Sequence, residues 1–303
     1  MRTLVNIEIR RMMSRRLLRF LVGLALLGIL AAGVIVFVVS HHNDPGDLAR
    51  AQVVREQQME QCLAGEIGPS EQECPECFVD HAQFCANEVV PQVKDSRFHL
   101  TAVSEVSMGL SVPALILAWL LGASAVGAEW HNRTVTTTLT WEPRRTRVLA
   151  AKAVGASIVM FVLTVTLLAV LAAALYPAAA IRGTTMGVDA AWWGEFAEIV
   201  MRAGALSAVA AAMGLAIATI GRNTAAAVGA GFVYIAIVES LVRGYKPAWT
   251  RWLIGDNAAT FVFGPNEVGL IGRGRGGAVL LLGMYALILL AAASIVFARR
   301  DVN

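Results

Sequence analysis

The sequence predicts an all-α integral membrane protein, and three observations carry that reading. Of its 303 residues, 57% are apolar and 16% charged, with a mean hydropathy of +0.62; a water-soluble domain carries about 25% charge. The apolar residues gather in six runs, at 17–39, 103–128, 150–176, 199–221, 224–242 and 277–298. Each is long enough to cross ~30 Å of hydrocarbon as a helix. The charges between those runs are biased in sign from loop to loop. Such a composition excludes a water-soluble enzyme and marks no nucleic-acid partner. With most of the chain in lipid, the formal net charge of +3 matters less than which side each charge occupies.

At the N-terminus, Leu4, Val5, Ile7, Ile9, Met12 and Met13 are interleaved with arginines, as in a short amphipathic helix lying in the membrane interface. Arg2, Arg10, Arg11, Arg15, Arg16 and Arg19 precede or open span one against a single Glu8. The uncharged stretch Phe20–Ser40 exceeds the roughly 7–15 residue core of a cleaved signal peptide, so it reads as a retained span. Basic residues also dominate the loop 129–152 and the tail, at Arg299 and Arg300. The positive-inside rule places both termini and that loop in the cytoplasm of a multi-pass cell-membrane protein. The loop 41–102 has four basic residues (Arg50, Arg55, Lys94, Arg97) against eleven acidic ones, and belongs outside. The plan is one transmembrane domain over 1–303 with an outer insert at 41–102.

All four cysteines, Cys62, Cys74, Cys77 and Cys85, fall in that insert, on the side where disulfides persist. Two bridges follow, with three pairings open. Segments 47–66 and 71–90 are rich in helix formers and are separated by Gly65, Gly68 and Pro69, which predicts a stapled helical hairpin. Cys74-Pro75-Glu76-Cys77 could also serve as a redox dithiol, or as half of a zinc site with His41, His42, His81 or His99. A polar loop lacks the helix-end setting of a membrane redox site, and no second tight ligand pair accompanies the first, so the metal reading is none.

Several charges fall at membrane depth. Glu239 lies in span five, ~24 Å from its cytoplasmic end at 1.5 Å per residue, where a carboxylate needs water or a cationic partner. With Glu105 near the outer end of span two it is a candidate outer gate. Glu195, Glu198 and Arg202 lead into span four, the last two spaced for a local ion pair. Spans four and five are rich in small residues. Ala225 with Gly229 and Ala226 with Ala230 give small-xxx-small spacings for close helix approach, either to a second copy or within the chain. The apolar piece 249–263, broken at Gly255, Asp256 and Asn257, is too short for two crossings. It reads as an outer re-entrant or interfacial hairpin with Trp249 and Trp252 as belt residues.

Between spans two and three, the apolar and threonine positions from 130 to 141 predict a short surface helix closed by Pro143, with Arg144, Arg145 and Arg147 placed to meet lipid phosphates. The order Glu129, Thr134, Leu139, Pro143, Arg145 and Lys152 resembles the cytoplasmic loop of type-2 ABC transporter permeases. There an acidic residue closing the second span is followed by a small residue and Thr, then Leu, Pro, Arg and Lys. The wider plan is similar: an interfacial helix, six spans, a large outer loop after span one and an apolar outer segment before span six.

The resemblance implies that the loop helix is a coupling helix docking into a cleft of a separate ATP-binding subunit. Its contact residues would be Glu129, Trp130, Arg133, Thr134, Leu139, Pro143 and Arg145, with Trp130 and Leu139 as anchors. It implies a homodimer with two ATP-binding subunits, in contact with membrane lipid and working as an exporter. The chain has no GxxxxGK[ST] phosphate loop, so it cannot itself hold the nucleotide; the resemblance implies a permease subunit with no cofactor in this chain and no catalysis by itself. ATP and Mg belong to the partner. The alternatives are a membrane-bound thiol-disulfide enzyme using the outer CxxC, and an ion-driven secondary transporter.

Overall fold

The computed structural model describes residues 1–41, 45–64, 66–67, 81–85, 97–131, 134, 139–265 and 273–299. Among them, six helices are long and apolar enough to cross a membrane: Arg16–Val39, Ala102–His131, Arg145–Arg182, Ala190–Gly221, Thr224–Tyr245 and Arg275–Arg299. Every run predicted from sequence lies inside one of them. Span three has 38 residues, ~57 Å at 1.5 Å per residue. A separate N-terminal helix, Arg2–Met13, precedes span one.

The chain divides into two compact units, one of Met1–Ala31, Thr101–Ala174 and Gly187–Asn303, the other of Ala32–Leu100 and Leu175–Met186. In the first, small residues let backbones touch. The position a Cβ would take on Gly214 in span four is filled by the Trp119 backbone of span two, and Gly122 meets Ala211 in the same way. Hydrocarbon gives helices no hydrophobic reason to associate, so this close packing supplies the attraction. Trp119 then donates its indole N–H to the Ala227 carbonyl of span five, at 3.2 Å. The turn from span four to span five is tight: Arg222 adopts φ 54°, and the Asn223 side chain accepts the Ala225 N–H to cap the next helix.

Met12 and Leu18 join spans two, three, four and six in one apolar cluster. A second cluster lies toward the other end. There Leu206 of span four and Leu282 of span six pack with Phe261 and Val262 of a short helix, Ile254–Val262, which follows a 3₁₀ segment, Pro247–Trp252. These two pieces cover the apolar segment 249–263, as a 3₁₀ turn followed by a short helix.

The second unit holds the insert. Helix Pro45–Leu63 covers most of the first helical segment expected at 47–66, and the short helix His81–Phe84 lies within the second, expected at 71–90. Cys62 and Cys85 form a buried disulfide; Cys74 and Cys77 lie outside the described residues. Ser40 ties the unit together, its hydroxyl donating to the Arg182 carbonyl and accepting from the Phe98 N–H. The bridge closes a 23-residue separation, which in a chain-entropy account stabilises the insert by about 3 kcal/mol. The Cys62→Ser, Cys85→Ser pair is therefore expected to make the insert readily cleaved in limited proteolysis while the six-span body stays intact. Unchanged cleavage would show that other contacts hold it.

Candidate functional site

At the end of the first unit that carries the N-terminal helix, five charged side chains form a joint. Glu129, in the last turn of span two, and Lys152, in the first turns of span three, are both buried and meet at 2.7 Å. Lys152 also binds both carboxylate oxygens of Glu8 on the N-terminal helix, at 3.0 Å. Arg11, one turn further along that helix, reaches Glu129 at 3.2 Å. Arg15 donates to the Ser124 and Ala125 carbonyls of span two at 2.6 and 2.9 Å. Burial draws the Arg15 guanidinium below the ordinary arginine value, against the pull of Glu129 and Glu8. Two carboxylates are thus shared among three cations, and three helices are pinned to one another where they leave the apolar core.

Of this joint, only Glu129 was expected as a contact residue, and Lys152 as a position in a motif. The helix of span two runs on to His131, so Glu129 and Trp130 belong to its last turn rather than to a separate surface helix. Arg133 and 135–138, the middle of the expected coupling helix, lie outside the described residues. Thr134 is exposed, and its backbone N–H donates to the Glu129 carbonyl, at 3.0 Å.

The two expected anchors face inward. Trp130 packs edge-on against Phe297 of span six, with ring centres 6.2 Å apart, beneath the Arg222 guanidinium at 4.9 Å. Leu139 packs against the same cluster. Between them and the Glu129–Lys152 pair is a cleft with room for no more than about one water, which is a packed joint rather than a ligand chamber. Arg145 donates to the Phe297 carbonyl at 3.2 Å, Pro143 is exposed, and Arg147 pairs loosely with Glu142 at 3.7 Å. Among the described residues of this segment the large apolar side chain that projects is Trp141, in a helical turn at 139–141 and 87% exposed. An indole bared so fully beside a packed joint is the signal that sequence reasoning passed over.

A second charged site lies at the far end of span five. Its helix widens to π geometry over Tyr234–Glu239, bringing Tyr234 and Glu239 against the start of helix Ile254–Val262. That helix begins without a capping side chain of its own, so its first N–H groups need acceptors. The Tyr234 hydroxyl accepts from Ile254 at 3.1 Å and Glu239 accepts from Gly255 at 2.7 Å. The other Glu239 oxygen takes Arg243 at 2.8 Å, and Arg243 holds Asp256 at the same distance. Glu239 is 1% exposed. A Cβ at Gly255 would run into the Glu239 carboxylate and force it to move. Glu105 lies exposed in the first turn of span two, and Glu198 pairs with Arg202 at 3.5 Å.

Six helices apolar enough to cross a membrane, with an N-terminal helix locked to the ends of spans two and three and a short helix seated at the far end, are those of a multi-pass membrane protein. The chain belongs to the family described as ABC-2 family transporter protein, whose model matches residues 3–245. It is accordingly a type-2 ABC transporter permease, and members of this family generally work with separate ATP-binding subunits. A comparison with curated proteins found no match.

Proposed function

We propose that this chain is the membrane-spanning subunit of an ATP-driven exporter, working as a homodimer with two ATP-binding subunits that hold ATP and Mg. Both termini and the segment 129–152 face the cytoplasm in this reading, supported by their arginines. The observation that carries the coupling site is the buried joint of Glu129, Lys152 and Glu8 directly beside the exposed Trp141. Leu139 packs against the cluster that holds the ends of spans two and three, so a force applied at 139–143 reaches them, and through Glu8 the N-terminal helix, by packed side chains. Trp141 is the anchor that enters the partner's cleft, while Trp130 and Leu139 hold the loop to the permease. Ala225 and Gly229 on span five are exposed, and nothing lies within 4 Å of the position of a Gly229 Cβ. This supports a close helix contact between two copies there. Glu239 serves as the outer gate by fixing helix Ile254–Val262 to span five.

Truncating an anchor at the centre of an interface commonly weakens binding by about 2 kcal/mol or more, roughly thirtyfold. Trp141→Ala is therefore expected to lose most co-purifying ATP-binding subunit and transport-linked hydrolysis while keeping its thermal stability in detergent. A full complement of partner with coupled hydrolysis in that variant would place docking elsewhere.

A further inference from the structure

The segment joining spans five and six carries a positive excess that the transport reading does not use. Arg243, Lys246, Arg251, Arg273 and Arg275 stand there against Asp256 and Glu267. In the proposed orientation this segment faces outside, where the insert 41–102 is strongly acidic and where basic residues are normally sparse. Arg243 is accounted for by Glu239 and Asp256. Arg273 donates to the Arg251 carbonyl at 2.8 Å and to the Asn257 side chain at 3.1 Å, joining the end of the 3₁₀ segment to the first turn of the helix after it. Lys246 and Arg251 have no such structural duty, and among the described residues no carboxylate pairs with them.

Instead, each lies beside an indole. The Lys246 ammonium stands 5.1 Å from the Trp249 ring centre, and the guanidiniums of Arg251 and Arg273 stand 5.5 and 5.0 Å from that of Trp252. Trp249 and Trp252 are 58% and 46% exposed. Span five has 22 residues before this point, ~33 Å at helical rise. The 3₁₀ segment Pro247–Trp252 therefore sits where hydrocarbon gives way to headgroups, the level at which indoles settle. Tyr285 ties the segment to span six by donating to the Trp252 carbonyl, at 3.0 Å.

We infer that Lys246, Arg251 and Arg273, framed by Trp249 and Trp252, form a binding site for the headgroup of an anionic phospholipid. The indoles enter between lipid chains, and the cations beside them meet the phosphate. A zwitterionic headgroup presents an ammonium as well as its phosphate, so it gains less from a cluster of cations. The site rests on the membrane reading of the six helices, and its assignment to the outer leaflet rests on the proposed orientation.

Native mass spectrometry of the full chain, titrated with dioleoyl phosphatidylglycerol or dioleoyl phosphatidylcholine, tests it. A Lys or Arg near an anionic lipid surface typically contributes about fivefold in affinity, so removing two gives about thirtyfold. The Lys246→Gln, Arg251→Gln pair is expected to weaken the tightest phosphatidylglycerol by that factor and leave phosphatidylcholine unchanged. Lys246→Arg should retain it, as should Arg2→Gln with Arg10→Gln on the N-terminal helix, another basic surface near lipid. Equal phosphatidylglycerol binding by the outer pair and wild type would overturn the site, as would equal binding of the two lipids by wild type. Leaflet is read separately, from labelling of Lys246→Cys by an impermeant maleimide in intact cells against the unsubstituted chain. Labelling only after lysis would refute the outer-leaflet assignment and the orientation behind it, while leaving the lipid result standing.

Discussion

Replacing Lys152 by Met is expected to destabilise the permease by about 3–5 kcal/mol, the usual effect of removing one partner from a buried ion pair. Lys152 is 7% exposed and holds two carboxylates. Its loss leaves Glu129 buried against Arg11, which is largely in water, and Arg15 at 3.9 Å. The damage comes from the stranded carboxylate rather than from the missing attraction. A second change, Glu129→Gln, should therefore restore much of the stability, because it removes the buried charge and leaves Glu8 with Arg11 at 3.4 Å. Melting temperatures in detergent decide it. A double variant no better than Lys152→Met alone would mean that the joint is held by packing, with the charges incidental.

Glu239→Ala is expected to have an effect of similar size by another route. The carboxylate makes two charge-assisted hydrogen bonds, to Arg243 and to the Gly255 N–H, each worth about 1.5–3 kcal/mol. Arg243 is 45% exposed, so water replaces much of its share; the N–H of Gly255 has less recourse. A total near 3 kcal/mol follows, with helix Ile254–Val262 freed from span five and transport lost. Glu239→Gln keeps an acceptor for Gly255 and should fall between the two. Gly255→Val should resemble Glu239→Ala, since its side chain displaces the carboxylate that Glu239→Ala removes. Normal transport and stability in both Glu239→Ala and Gly255→Val would show that the latch is ornamental.

The six spans were legible because hydrocarbon imposes a single requirement, ~20 apolar residues in helix, that any sequence must meet openly. The N-terminal helix was legible for a similar reason, its arginines and aliphatics being readable without a partner. What stayed hidden was pairing at a distance. Glu8 and Lys152 are 144 positions apart, and nothing in either neighbourhood announces the other. Arg243 stood at the i+4 position from Glu239, a signal available in the sequence and not used; the other partner, the N–H of Gly255, has no side chain to betray it. Trp130, Leu139 and Trp141 illustrate a further limit. All three are apolar residues in the segment between spans two and three, and composition alone does not separate the two that pack inward from the one that stands exposed.

The most direct test of the account is photo-crosslinking from position 141 in the assembled complex. A benzophenone side chain placed at Trp141 should, on irradiation, join the permease to its ATP-binding subunit. The same probe at Trp193, which is exposed near the start of span four and so faces the opposite side of the membrane in this reading, should not. Crosslinks to the ATP-binding subunit from 193, or none from 141 in a complex that still hydrolyses ATP and transports, would contradict the placement of the coupling surface.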